Sequence, residues 1–175
     1  MSNRKLGILG MGRIGRAVAK RARGFGMEIH YHNRTKLAAN LEEGAIYHDN
    51  IKSLFNNSEF LSINCPATKE TTNLVNEQSI NYLPAGAVVT NAARGDIIDD
   101  NAMIKAMKSG KVFALGLDVY NGEPKINPEY LKFHNLFLLP HLGSAPFRTR
   151  IDMGNRAIDN LENFFNNKRP KDQVN

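Results

Sequence analysis

A cation, a carboxylate and an imidazole follow one another across three short segments of this chain: Asn91-Ala92-Ala93-Arg94-Gly95, Leu117-Asp118-Val119-Tyr120-Asn121-Gly122-Glu123-Pro124 and Leu139-Pro140-His141-Leu142-Gly143. A guanidinium such as that of Arg94 presents a planar fork of donors that matches a carboxylate, a shape lysine lacks. Hydride arriving at a ketone carbon builds negative charge on the oxygen, and an imidazolium at His141 can neutralise it by giving up a proton. A carboxylate at hydrogen-bond distance, Glu123, would stabilise that imidazolium. Together the three are equipment for hydride transfer to a 2-oxo acid, whose carboxylate stands beside its ketone. Singly, Arg94 before Gly95 also reads as a strand end, Glu123 before Pro124 as a solvated turn, and His141 as a loop histidine. Their joint presence, in this order, points to chemistry.

The source of hydride is suggested upstream, by Gly10-Met11-Gly12-Arg13-Ile14-Gly15. This is a dinucleotide fingerprint: Gly10 for a tight turn, Gly12 for approach of the backbone to a pyrophosphate, Gly15 for close helix packing. Leu6–Leu9 reads as a buried strand before it. Ile14, Ala17, Val18 and Ala22 recur at helical spacing after it, and Met27–Tyr31 returns as a second strand. An NAD site usually offers a carboxylate at the end of that second strand. Here the residues are His32, Asn33, Arg34, Thr35 and Lys36. Asn33 cannot repel a 2′-phosphate, and Arg34 and Thr35 can donate to one, so NADP(H) is the expected cofactor, with NAD the second choice.

The elements needed to carry these loops follow from the alternation of short apolar runs with helical patterns, which predicts an α/β fold with a doubly wound, mostly parallel sheet. Further strands are expected at Ala45–Tyr47, Phe60–Ile63, Ala87–Thr90, Phe113–Leu117 and Leu136–Leu139. Helices are expected at Leu37–Glu43, Ile51–Asn56, Glu77–Tyr82 and Asp99–Lys108, with a long amphipathic stretch at Phe147–Phe165. The ends of successive strands then place Arg94, Glu123 and His141 where ligands of such sheets collect. The expected organisation is a dinucleotide-binding domain over 1–145 and a C-terminal helix and tail over 146–175.

Composition narrows the rest. The chain has 175 residues, 42% of them apolar, enough for one sizeable core and a small appendage. Its formal charge is +6, but the Lys and Arg are scattered without an interleaved aromatic stripe, so no nucleic-acid partner is expected. No stretch approaches the roughly 20 apolar residues of a membrane span, and no continuous apolar leader follows Arg4 and Lys5. With one cysteine, Cys65, there is no internal disulfide, and the expected setting is the reducing cytoplasm. Cys65 reads as packing rather than as a nucleophile. His30, His32, His48 and His134 show no ligand spacing, so no metal is assigned.

These motifs together resemble the D-isomer-specific 2-hydroxyacid dehydrogenases, and within them the glyoxylate and hydroxypyruvate reductases. The markers are Gly10–Gly15, Cys65-Pro66 with Thr68, Glu70 and Thr71, the segment Asn91–Asp99, Gly116–Val119 with Glu123-Pro124, and Pro140-His141 with Gly143-Ser144-Ala145. The resemblance spans about Leu6 to the C-terminus. It implies that Arg94 holds the substrate carboxylate, that His141 is the acid or base and that Glu123 pairs with it. It also implies that Asp118 and the backbone of Asn91, Ala92 and Ala93 lie near the nicotinamide and Cys65-Pro66 along its ribose, with Thr71, His141 and Gly143 lining the cofactor. The Rossmann-type NAD(P) domain of that family commonly pairs with a second copy, so a homodimer is expected. Full-length members carry an N-terminal segment that builds most of a substrate domain and is not found here, making the tail from 146 on a remnant of that domain. Pro146-Phe147-Arg148 departs from the threonine and glutamate many relatives carry there. The reading is therefore an NADPH-dependent reductase of small 2-oxo acids. Two alternatives are a truncated NADP(H)-binding module without turnover and a 3-hydroxyacid-type dehydrogenase, suggested by Asn33-Arg34-Thr35.

Overall fold

The structure, a computed structural model, describes residues 1–174 and divides into two compact units, Met1–Pro140 and the segment from His141 on. The first unit is a seven-stranded sheet made of β1 (Lys5–Leu9), β2 (Glu28–His32), β3 (Ile46–Tyr47), β4 (Phe60–Ile63), β5 (Ala87–Asn91), β6 (Val112–Leu117) and β7 (Leu136–Leu138). The spatial order is β3-β2-β1-β4-β5-β6-β7, and every ladder is parallel. Parallel strands need crossover connections, which here are α1 (Arg13–Gly24), α2 (Ala39–Glu42), α3 (Ile51–Asn56), α4 (Glu77–Asn81) and α5 (Asp100–Lys108). The expected doubly wound sheet is present, and its order reverses between β1 and β4. Leu6 pairs with Ile29 on one side and with Phe60 on the other.

The mostly apolar runs of β1 and β4, buried but for their first residues, reflect burial on both faces, as parallel sheets require. Leu6, Ile8, Ile29 and Tyr31 join Ala19 and Ala22 of α1 in one core. Leu61, Ile63, Val89, Val112 and Leu115 join Met103 and Met107 of α5 in the other. Helix starts are set by side-chain caps: Asn50 accepts from Ser53 N on α3, Asn76 and Ser79 form a reciprocal box on α4, and Asp99 accepts from Asn101 N and Ala102 N on α5. Asp99 thus lies just outside the helix it was expected to begin. α2 starts at Ala39 instead of Leu37: Ala38 is extended, with φ −65° and ψ 146°, and the Leu37 amide is bonded to the Tyr31 hydroxyl, 3.0 Å away. Short 3-10 turns at Gly95–Ile97 and Pro128–Lys132 had no signature in the periodicity.

The second unit contains α6 (Phe147–Phe165), over the range expected from the amphipathic pattern. No residue of this helix is buried, and Ile151, Ile158, Leu161 and Phe165 are exposed. Its tail folds back through a bidentate pair from Arg156 to Asp172, at 2.6 and 2.9 Å, and through Asn160. Among the described residues no helix is long and apolar enough to cross a membrane, and no group of three or more His, Cys, Asp or Glu could hold a metal ion.

The edge formed by β2 and β3 hides a chain of polar contacts that sequence spacing gave no hint of. His30 Nδ1 faces His48 Nε2 at 2.8 Å, His30 Nε2 faces Glu28 Oε1 at 2.6 Å, and His48 Nδ1 faces Ser53 Oγ at 2.7 Å. Between the two rings one nitrogen must donate and the other accept, so the pair shares one proton. Burial first, and His30 second, lower the pKa of His48 from its ordinary 6.5. Unfolded chains take up a proton at His48 near that ordinary value while the folded chain resists it, so stability held above it is lost as pH falls below it. Urea midpoints are expected to drop between about pH 7.5 and pH 5.5, and His48→Gln should drop less; an equal drop in both proteins would rule out this origin.

Candidate functional site

The glycine loop is built by close approaches that leave no room for side chains at two of its three positions. Gly10 leaves β1 with φ +93°, and a Cβ there would sit 2.4 Å from the Cys65 backbone nitrogen. A Cβ on Gly15 would meet the Gly10 carbonyl oxygen at 2.4 Å. Gly12 differs: a Cβ there would meet nothing within 4 Å. The fold itself does not require a glycine at that exposed position, and the space above it is open to a ligand approaching the backbone. Gly12 is also the N-cap of α1, which has no side-chain cap and no acidic residue in its first turn. The first amides of a helix left in this way form an anion site, and Arg13 adds a cation to it. These residues fit the pyrophosphate of a dinucleotide.

The loop opens onto a cleft of about 380 Å³ lined by Ile14, Asn64, Cys65, Pro66, Ala67, Ala92, Ala93 and Arg94. Its walls are the first turn of α1 and the loops that follow β4 and β5, beside the point where the strand order reverses, which is where ligands of doubly wound sheets bind. Ile14 exposes 67% of its surface on this rim. Cys65 is buried, and burial pushes its thiol up to about 11, so it lines the wall as an unreactive neutral group.

Several residues expected to line the cofactor use their side chains on backbone groups of the surrounding loops. Asn33 Oδ1 accepts from the Met11 amide at 2.7 Å and ties the end of β2 to the glycine loop. The Thr71 hydroxyl accepts from Thr68 N and donates to the Pro66 carbonyl, each at 2.7 Å, closing the turn after Cys65. Asn91 donates to the Arg94 carbonyl at 2.8 Å and accepts from Ala93 N at 3.0 Å, which folds the Arg94 turn. Arg94 itself is exposed, with Nη1 donating to the Ala93 carbonyl at 2.6 Å. Arg34 and Thr35 are exposed beyond Asn33.

Glu123 is exposed in the loop after β6, where Oε1 accepts from the Tyr120 amide at 3.1 Å. Gly95 brings this loop to the Arg94 turn: a Cβ at Gly95 would lie 2.1 Å from the Tyr120 carbonyl carbon. That positioning role was legible only as a glycine following Arg94. Asp118 is buried at the end of β6, its amide bonded to the Asn91 carbonyl at 3.0 Å. His141 opens the second unit in the left-handed region, φ +56°, with Gly143 in the turn that follows. The first unit therefore brings together the glycine loop, Asn33, Cys65, Pro66 and Ala92–Arg94, with Glu123 on the adjoining loop.

Two glycine substitutions separate fold from binding. Gly10→Ala is expected to destabilise the chain by about 1–3 kcal/mol in urea unfolding, through overpacking and a left-handed backbone. Gly12→Ala should cost less than Gly10→Ala, at most about 1 kcal/mol from the poorer N-cap, and weaken dinucleotide binding at least about tenfold, the methyl group standing where the ligand approaches. Unaltered affinity in Gly12→Ala would remove the reason given for that open space.

Residues 1–143 match a family described as D-isomer specific 2-hydroxyacid dehydrogenase, NAD binding domain. The chain is 42% identical to a glycerate dehydrogenase of Hyphomicrobium methylovorum over 94% of its own length and 52% of the relative's. It is 42% identical to a glyoxylate reductase of Thermococcus litoralis over 100% of its length and 53% of the relative's. A crystal structure of an NADPH-dependent glyoxylate/hydroxypyruvate reductase from Sinorhizobium meliloti, in complex with NADP and malonate, superposes with a TM-score of 0.88 at 35% identity, covering 93% of this chain and 50% of that one. The chain spans about half the length of the curated relatives it matches. With the glycine loop, the reversed strand order and these matches in agreement, the chain belongs to the D-isomer-specific 2-hydroxyacid dehydrogenase family, as a Rossmann-like NAD-binding domain.

Proposed function

We propose that this chain is the cofactor-binding, His141-bearing part of an NADPH-dependent reductase of small 2-oxo acids such as glyoxylate and hydroxypyruvate. The observation that carries the proposal is that the Arg94 turn and the glycine loop wall the same cleft, so an anion clamp adjoins the dinucleotide surface. A bound nicotinamide would supply hydride to the carbonyl carbon. The amides at the start of α1 hold the pyrophosphate, and the Ile14 side chain and Cys65-Pro66 shape the wall beside it. Arg94 receives the substrate carboxylate. His141 holds the proton destined for the carbonyl oxygen, and Glu123 accepts from the imidazolium ring. Support for the pairing of Glu123 with His141 comes from the family resemblance and from their order in the sequence. Support for NADPH comes from the missing carboxylate after β2, from Arg34 and Thr35 there, and from the NADP complex of the S. meliloti relative.

A second reading is favoured by the chain's share of its relatives: it covers only about half of each, so the chain alone could bind NADPH without turnover. Walls that exclude water and fix a substrate near its attack position would then belong to other parts of the assembly. A 3-hydroxyacid-type reaction gains nothing from the family match. The proposal carries with it a homodimer and a cytoplasmic setting, the first resting on family resemblance and the second on the single buried cysteine.

The test is consumption of NADPH with glyoxylate or hydroxypyruvate, beside direct binding titrations of NADPH and NADH. Tighter binding of NADPH than of NADH is expected. His141→Ala should lower turnover at least about a hundredfold, the range of general acid catalysis, while leaving NADPH affinity in place. Loss of NADPH affinity in His141→Ala with turnover retained contradicts these roles. Binding without turnover in the wild type supports the second reading.

A further inference from the structure

The segment that follows β2 is fastened at both ends, and one buried hydroxyl makes the far fastening. Tyr31 is completely buried on β2. Its hydroxyl donates to Glu42 Oε1 at 2.5 Å and accepts from the Leu37 amide at 3.0 Å. Burial, and then the bond to Glu42, push the Tyr31 pKa up to about 12, so the hydroxyl keeps its proton at neutral pH and makes both bonds at once. At the near end, Asn33 Oδ1 accepts from Met11 N at 2.7 Å. Between these fixed points lie Arg34, Thr35 and Lys36, all exposed.

We propose that Tyr31 is a positioning residue for nucleotide choice: through Leu37 and Glu42 it holds the Arg34–Lys36 segment in the pose that receives a ribose 2′-phosphate, a group it does not itself touch. The inference rests on the NADPH preference proposed above. A three-residue segment pinned at both ends presents its donors without having to order them on binding, which is where preorganisation adds affinity. Glu42 strengthens the argument. Its side chain is only 14% exposed and lies 3.8 Å from Lys36 Nζ. With the Tyr31 proton engaged, the carboxylate is held against the core; without it, Lys36 becomes its main partner and one cation is withdrawn from an incoming phosphate. NADH carries no 2′-phosphate, so its binding does not use the pinned segment.

The experiment is a pair of fluorescence titrations, NADPH and NADH, on the wild type and on Tyr31→Phe, Glu42→Gln and Glu42→Leu. Tyr31→Phe should weaken NADPH about three- to tenfold, the range for losing one or two hydrogen bonds, and change NADH less than about twofold. Glu42→Gln retains an acceptor for the hydroxyl and should keep the preference. Glu42→Leu removes that acceptor but leaves the Leu37 amide bonded to the hydroxyl and frees Lys36, so it should weaken NADPH less than Tyr31→Phe does. Equal weakening of both nucleotides, which a merely structural role would give, overturns the inference, as does an unchanged preference in Tyr31→Phe or a larger loss of preference in Glu42→Leu than in Tyr31→Phe. A wild type that does not prefer NADPH overturns both this inference and the cofactor proposal. A wild type that does, with variants like it, overturns this inference alone.

Discussion

The approach of Gly10 to Cys65 is the contact on which the rest of the site depends. Two loops leaving neighbouring strands come so close that a single methyl group would sit 2.4 Å from a backbone nitrogen. The Asn64 amide bonds to the Leu9 carbonyl at 2.8 Å just below, so the ladder between β1 and β4 runs up to the point where the loops part. From there one chain turns into α1 and the other into the turn closed by Thr71. The cleft is the space between them. Gly95 repeats the device two strand pairs further along the sheet, pressing the Arg94 turn against the backbone at Tyr120. Glycine thus sets the spacing of the strand-end loops, and the charged side chains inherit their positions from that spacing.

Polar residues around the cleft fall into two groups by what they bond. Asn33, Thr71 and Asn91 satisfy backbone groups of their own loops and fix the shape of the walls. Arg34, Thr35 and Arg94 extend from those loops with exposed side chains. A backbone group in a tight turn that is not paired with another strand needs a partner, and short amide and hydroxyl side chains supply one at little entropic cost. The outward-facing groups can then meet a ligand from a frame that is already in place. The charges of Arg34 and Arg94 are positive, as is that of Arg13 at the start of α1, a distribution suited to a ligand that carries phosphates and a carboxylate.

The frame was legible in the sequence where burial acts on both faces of a strand. Leu6–Leu9 and Phe60–Ile63 read as apolar runs, interrupted in the second only by Ser62, because helices cover both sides of the sheet, and their ends were found to within a residue. Element ends set by a distant side chain were not legible. Nothing local to Leu37 announces that its amide belongs to Tyr31, six residues earlier. The same limit explains Asn33, Thr71 and Asn91: an amide or hydroxyl beside a glycine loop looks alike in sequence whether it faces a ligand or its own backbone. His30 and His48 stayed hidden for a related reason, since parallel pairing of β2 with β3 joins residues separated by a helix. Residue types in order were enough to suggest the chemistry of Arg94, Glu123 and His141. The closeness of the Arg94 and Glu123 loops was not, because it rests on a missing Cβ at Gly95.

The central place of β1 has a further consequence, for the order of events as the chain is made. The strand nearest the N-terminus is flanked by β2 on one side and β4 on the other, and its partner Phe60 on β4 lies far down the chain. Until Ile63 has been synthesised, one edge of β1 has no ladder partner, and Leu6, Ile8 and Leu9 lack their final enclosure. A folding helical bundle closes on near neighbours; this sheet has to wait for a distant one. Throughout that interval the nascent chain carries an apolar strand with an open edge, the kind of surface on which chaperones and aggregation compete.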